Sequence, residues 1–234
     1  MAIGSYDIML SDFFRTINSA NRTETYSKYN RKTTVINAAN RKFAANNGFE
    51  APKTTVILPS KKSVPGKIIV AIDTSGSISD DGMETGGIVA EILRMTITYN
   101  RWEAREIEII YCAADLRKEG PFKARSAELD AYIKKIKENG IKTSGFVADL
   151  LPIWEDVMSE SDATRKDPFG LVVITGSETL NDEKIVSLYE SGKFRIPTMV
   201  ICPKELSMSQ SFKDFSAKNN ILQTAYMGPS LPIQ

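Results

Sequence analysis

The stretch that most constrains this chain is Lys67 to Ser79, KIIVAIDTSGSIS. Ile68 to Ile72 is an apolar run rich in β-branched residues and without alternation, which is how a strand buried on both faces reads. The run ends abruptly at Asp73. Thr74, Ser75, Gly76 and Ser77 are short and suited to turn geometry, so the chain leaves the sheet at its carboxyl edge and then enters a helix. That edge is where open α/β sheets bind their ligands.

The flanking sequence supplies the rest of such a sheet. Ile8, Met9, Phe13, Phe14 and Ile17 fall on one face of a short N-terminal helix. From Asn18 to Lys53 the chain is polar and basic, with Tyr26, Tyr29, Phe43 and Phe49 scattered through it and a short helix expected over Thr34 to Ala45. Thr54 to Leu58 reads as a strand ended by Pro59, and SKKSVPG as a turn-rich connection. Beyond the opening stretch we expect a helix over Asp80 to Tyr99, capped by Ser79 or Asp80, a strand over Glu106 to Ala113, and a hairpin partner over Leu116 to Lys123. A helix beginning at Ser126 stops at Asn139-Gly140, and LPIWEDVMSE forms another. The apolar strand Leu171 to Thr175, a helix over Asp182 to Tyr189, the strand Thr198 to Cys202, a helix near Ser207 to Ala217 and a strand Ile221 to Tyr226 complete the chain. Strands alternating with helices predict an α/β class, a doubly wound, mostly parallel, Rossmann-like sheet with helices on both faces and an N-terminal extension. We divide the chain into an extension, 1–60, that packs on the domain, and the main domain, 61–234.

Composition narrows the chemistry. The 234 residues include no histidine, which removes Ser-His-Asp and Cys-His catalysis and histidine-ligated zinc. Cys112 and Cys202 sit in apolar runs and read as buried reduced thiols. Thirty basic against twenty-nine acidic side chains give a net charge of +1, which does not favour nucleic acid or membrane as a partner. The basic and aromatic residues of the extension read mainly as a solvated arm, with single-stranded nucleic acid binding as the weaker alternative. No apolar run reaches the roughly 18 residues of a membrane span, and no leader is evident, so a cytoplasmic protein is expected.

In Asp73-x-Ser75-x-Ser77 one carboxylate and two hydroxyls can converge above the strand end, a set of hard oxygen donors suited to Mg²⁺, Ca²⁺ or Mn²⁺. The alternative reading has Asp73 capping the next turn while Ser75 and Ser77 satisfy backbone groups at the helix start. Glu155 and Asp156, or Asp80 and Asp81, read as solvated surface charge, and Trp154 and Trp102 as core or partial core. No P-loop and no G-x-G-x-x-G after a strand occurs.

IIVAIDTSGSIS, VADLLPIWE and LVVIT, at their distances in this chain, resemble a von Willebrand factor A (VWA) domain. More narrowly, they resemble the C-terminal A-like domain of bacterial and phage proteins labelled metallopeptidases, many of them encoded beside MoxR-type AAA+ ATPases. The resemblance implies a metal-ion-dependent adhesion site (MIDAS) built from DxSxS, a Thr from a later loop and an Asp after a later strand. Here Ala148 stands where that Thr is expected and Gly176 where the acid is expected. Asp73, Ser75 and Ser77 remain, with Asp149, Thr143, Ser144 or Glu178 as substitutes from the same loops. One charge pair near 4 Å is worth on the order of 4 kcal/mol at an effective dielectric of about 20, so losing the acid weakens any cation site.

Three functions follow from these readings. The first is a non-enzymatic interaction domain with a degenerate metal site, serving an AAA+ ATPase or a phage assembly. The second is a metal-dependent phosphoryl or nucleotide enzyme at the same sheet edge. Against it, haloacid-dehalogenase phosphatases carry a second Asp where this chain has Ser75. The third is a homo-oligomeric scaffold assembled through residues 1–60.

Overall fold

The computed structural model describes residues 5–20, 22–50, 52, 55–63, 66–76, 78, 87–99, 104–112, 115–143, 148–164, 168–176, 179–202 and 208–226. They form two compact units, one of Met1–Ile17 with Pro65–Gln234 and the other Asn18–Val64.

The first unit is built on β3 (Gly66–Asp73). Its parallel neighbours are β4 (Ala104–Cys112), in the register Ile68↔Ile107 to Asp73↔Cys112, and β7 (Gly170–Ile174), in the register Ile68↔Gly170 to Ile72↔Ile174. Strand β9 (Thr198–Cys202) continues the sheet beside β7, and β10 (Leu222–Tyr226) lies beside β9, both parallel. Strand β5 (Leu116–Lys123) closes the opposite edge antiparallel to β4 as the expected hairpin partner. The order β10-β9-β7-β3-β4-β5 is therefore a mixed, mostly parallel sheet of six strands. The chain leaves β3 toward β4 and β5 on one side and later returns to β7, β9 and β10 on the other. The carboxyl ends of β3 and β7 thus flank a topological switch point, where a crevice opens in sheets of this kind.

Successive β3 side chains point to opposite faces, and each face has its own core. Ile68, Val70 and Ile72 pack with α1 (Ser5–Ala20), α3 (Gly87–Tyr99) and α4 (Ala127–Asn139) through Phe13, Phe14, Ile92, Leu93, Leu129 and Ile133. Ile69 and Ala71 pack with α5 (Leu151–Thr164), α6 (Asp182–Glu190) and α7 (Gln210–Lys218) through Ile153, Trp154, Val157, Ile185 and Phe212. Full burial of each of these aliphatic side chains contributes about 1.5–3 kcal/mol, which is why an unalternating run is stable only between two helical layers. Helix α1 approaches β7 closely: a Cβ at Gly170 would meet Ile17 Cδ1 at 3.0 Å. Ser126 caps α4 by accepting from Leu129 N, and the chain leaves that helix at Gly140 with φ 71°, a left-handed turn that favours glycine. Among the described residues no helix is long and apolar enough to cross a membrane.

The second unit differs from the sequence expectation. Strand β1 (Arg22–Tyr29) pairs antiparallel with β2 (Pro59–Ser63), in the register Arg22↔Ser63 to Thr25↔Ser60. The supposed connection SKKS is thus itself a strand. Residues 55–58, expected as the strand, are instead irregular and bound to α2 (Arg31–Asn46) by side chains. Asn37 donates to Val56 O at 2.9 Å and accepts from Val56 N at 3.0 Å, and Thr33 Oγ1 accepts from Leu58 N at 3.2 Å. These contacts satisfy backbone groups that a sheet would otherwise have to pair. Helix α2 begins three residues earlier than expected because Asn30 caps it, accepting from Lys32 N at 3.0 Å.

Candidate functional site

Asp73 ends β3 and is almost fully buried, so its carboxylate requires partners inside the protein. It has three. Oδ1 accepts from Ser75 N at 2.8 Å, closing a local Asx turn, while Oδ2 accepts from Thr175 Oγ1 at 2.8 Å and Gly176 N at 3.3 Å. Thr175 and Gly176 follow β7, so this carboxylate ties together the two strand ends at the switch point. Thr74 secures the other neighbour, its N and Oγ1 donating to Cys112 O at 2.8 and 3.0 Å.

A second cluster adjoins the first. Cys112 Sγ donates to Asp149 O at 3.3 Å. Burial first, and then the carboxylates of Asp73 and Asp149, push this thiol up to about 12, which disfavours the nucleophilic thiolate at neutral pH. Asp149 uses Oδ1 to accept from Leu151 N at 3.1 Å, capping α5, and Oδ2 to accept from Asn181 Nδ2 at 2.8 Å. The short strands β6 (Ala148–Asp149) and β8 (Thr179–Leu180) pair in parallel and join the two loops of this edge. Leu180 is half-exposed there.

At the strand end Asp73 meets Ser75 through the backbone N of that residue. The structure places Asp149 in a capping role tied to Asn181. Ser77, Glu178 and Ser144, like the proposed caps Ser79 and Asp80 and like Trp102, lie outside the described residues. Trp154 is a core residue, its Nε1 donating to Tyr189 OH at 3.1 Å. Thr175 and Asn181 were not anticipated, although a hydroxyl directly after an apolar strand was a legible signal for Thr175.

A hard divalent cation takes six or more oxygen ligands, usually with more than one carboxylate. At the Gly176 position the chain offers a backbone N–H, aimed at Asp73, in place of an acid. Asp73 itself already accepts three hydrogen bonds. The described donors do not make up the set a tightly held cation needs, and among the described residues no three His, Cys, Asp or Glu side chains cluster.

The sequence matches no family model and no curated protein. Solved structures do match. Manganese-loaded TRAP protein of Plasmodium vivax superposes with a TM-score of 0.50 at 9% identity, over 70% of this chain and 69% of that one. The SpRpn10 VWA domain gives 0.46 at 15% identity, over 72% and 92%. The RO (RSR) protein of Deinococcus radiodurans gives 0.41 at 13% identity, over 92% of this chain and 49% of that one. Identities this low speak to the fold alone. The order of the six strands, the helices on both faces and the likeness to the TRAP structure together make this a von Willebrand factor A-like α/β fold.

Proposed function

We propose that the chain is a non-enzymatic protein-interaction module of the A type, with a degenerate adhesion site at the carboxyl edge of its sheet. The observation that supports this reading is that Asp73 accepts from Ser75 N, Thr175 Oγ1 and Gly176 N. A carboxylate held by three in-chain donors keeps the loop in place without a cation. In this reading Asp73, Ser75 and Ser77 are the remnant of a MIDAS, Mg²⁺ binds weakly at most, and a partner meets the loops directly. Half-exposed Leu180 on β8 is an apolar anchor at that edge among the described residues. The resemblance of the loop motifs points to a MoxR-type AAA+ ATPase or a phage assembly as the setting.

Calorimetric titration with Mg²⁺, Mn²⁺ and Ca²⁺, alongside a phosphate-ester turnover assay, tests the site. We expect no tight binding and no turnover. Tight binding that Asp73→Ala abolishes would restore a working metal centre, and turnover would turn the reading to a phosphoryl enzyme. Binding of a purified MoxR-type ATPase that Leu180→Asp weakens at least about tenfold, the scale of a hot-spot residue, would support the edge as the contact. Binding indifferent to that change would remove it.

A further inference from the structure

The near-neutral charge of the whole chain hides a division that follows the two structural units. Asn18–Val64 carries nine Lys and Arg side chains against two carboxylates, Glu24 and Glu50, a net +7. The remaining 187 residues carry twenty-one against twenty-seven, a net −6. A charge of +7 on a unit of 47 residues raises a local potential that the total of +1 does not reveal.

Helix α2 displays much of that charge. One of its faces is covered: Thr33 and Ala44 are buried, and Thr33 and Asn37 bind the backbone of 55–58. The rest is open. Arg31, Lys32, Arg41 and Lys42 are all exposed, the helix contains no acid, and none of the four pairs with a carboxylate among the described residues. Beyond Asn46 the chain reverses through Asn47 and Gly48, and Phe49 N donates to Ala44 O at 2.9 Å. That turn places Phe43, 65% exposed, and Phe49, 66% exposed, at the same end of the helix as Arg41 and Lys42. Two solvent-facing phenyl rings beside the exposed Arg41 and Lys42 offer a ligand both apolar surface and positive charge.

We propose that Asn18–Val64 binds single-stranded nucleic acid, with phosphates on the open cations of α2 and unpaired bases stacked on Phe43 and Phe49. Charge complementarity calls for a polyanion, and the rings distinguish which one. Every base has a π-face, whereas an acidic protein segment offers carboxylates with nothing to stack. In a duplex those faces are hidden, so the strand must be single.

Fluorescence anisotropy of the full chain with labelled oligo-dT and oligo-U of about 20 nucleotides, longer than one site of roughly 4–16, tests this. We expect binding that weakens with salt at a log–log slope near −3, as four phosphate contacts at about 0.7 each require. Arg41→Glu with Lys42→Glu should lower affinity at least about tenfold, and Phe43→Ala at least about fivefold, the scale of one lost stack. Both sites are exposed, so folding is preserved, and circular dichroism checks it. Lys134→Glu, on α4 of the other unit, is the control and should leave affinity unchanged. No binding at about 50 mM salt overturns the proposal. So does binding indifferent to the α2 and Phe43 variants, or competition by polyaspartate that Phe43→Ala leaves unaffected, which would assign the surface to an acidic protein. Concentration-dependent mass in light scattering without oligonucleotide binding would assign it to a second copy, and would equally overturn it.

Discussion

Thr175 Oγ1 donates to Asp73 Oδ2 at 2.8 Å across 102 positions of sequence, and both residues are buried at the ends of adjacent parallel strands. Gly176 N donates to the same oxygen at 3.3 Å, so the loop after β7 holds this carboxylate by both a side chain and the backbone.

Thr175→Val should therefore destabilise the protein by about 1–3 kcal/mol, because a buried carboxylate loses a charge-assisted hydrogen bond and nothing replaces it. Thr175→Ser keeps the hydroxyl and should lose about 1 kcal/mol or less for the missing methyl. Urea unfolding of both variants checks the order. Equal losses would show that the methyl, not the hydroxyl, matters.

Chelation is expected to leave stability almost unchanged. A cation present at or below its dissociation constant stabilises by no more than about 0.4 kcal/mol, which moves the Tm of a chain this size by about 1–2 °C. The double change Gly176→Asp with Ala148→Thr introduces the two groups that the resemblance of the loop motifs to VWA domains implies. It should melt lower than the parent in EDTA, because a second carboxylate is set beside Asp73, and recover in Mn²⁺. Melting curves with and without the ion decide it, and failure to recover would mean that the loop geometry, not only the side chains, has left the metal-binding form.

A charge network on β3, β4, β5 and α5 gives a pH dependence. Lys67 Nζ bonds Glu108 Oε2 at 2.7 Å and also Glu160, and Lys118 Nζ bonds Glu160 Oε2 at 3.2 Å. Burial disfavours ionisation of Glu160, but hydrogen bonds from Lys67 and Lys118 outweigh it, and its carboxyl lies below its ordinary value of 4.5. Burial likewise opposes the charge on Lys67, while the hydrogen bonds it donates to Glu108 and Glu160 carry its pKa above 10.5. The Glu160 contribution is therefore present above pH 4.5 and lost as pH falls through the lower folded value, and that of Lys67 is present below 10.5 and lost as pH rises past it. Glu160→Gln should flatten the acid limb of a Tm-against-pH curve. Because Glu160 is partly exposed and screened, the loss at neutral pH should be about 1 kcal/mol or less. An unchanged acid limb would assign acid unfolding to other carboxylates.

Tyr189 lies under the second face of the sheet, donating to Thr198 Oγ1 at 2.6 Å and accepting from Trp154 Nε1 at 3.1 Å. Tyr189→Phe leaves the buried indole N–H without its acceptor and should lose about 1–3 kcal/mol. Chemical denaturation measures the loss, and the indole fluorescence of the folded state should shift as its hydrogen bond is removed. A neutral substitution would mean that water enters to replace the hydroxyl.

The sheet unit was legible because its signals are local. Ile68–Ile72, Leu171–Thr175 and Thr198–Cys202 are apolar runs that only a doubly covered strand accommodates, and Ser126 and Gly140 mark the ends of α4 by their own backbone needs. The second unit was not. RTETYSKY has no apolar period because its pairing with PSKKS is carried by backbone hydrogen bonds, and the more strand-like TTVIL lost to the side chains of Asn37 and Thr33.

The amino-acid order alone determined that a carboxylate follows a buried strand and that hydroxyl residues surround it. Only the tertiary structure decided what that carboxylate binds. Which donors reach Asp73 depends on β7 lying beside β3, and a contact across 102 positions is set by strand order rather than by any local preference. The same holds for charge: a sum over the chain gives +1, and only the division into units, which is a matter of packing, separates +7 from −6.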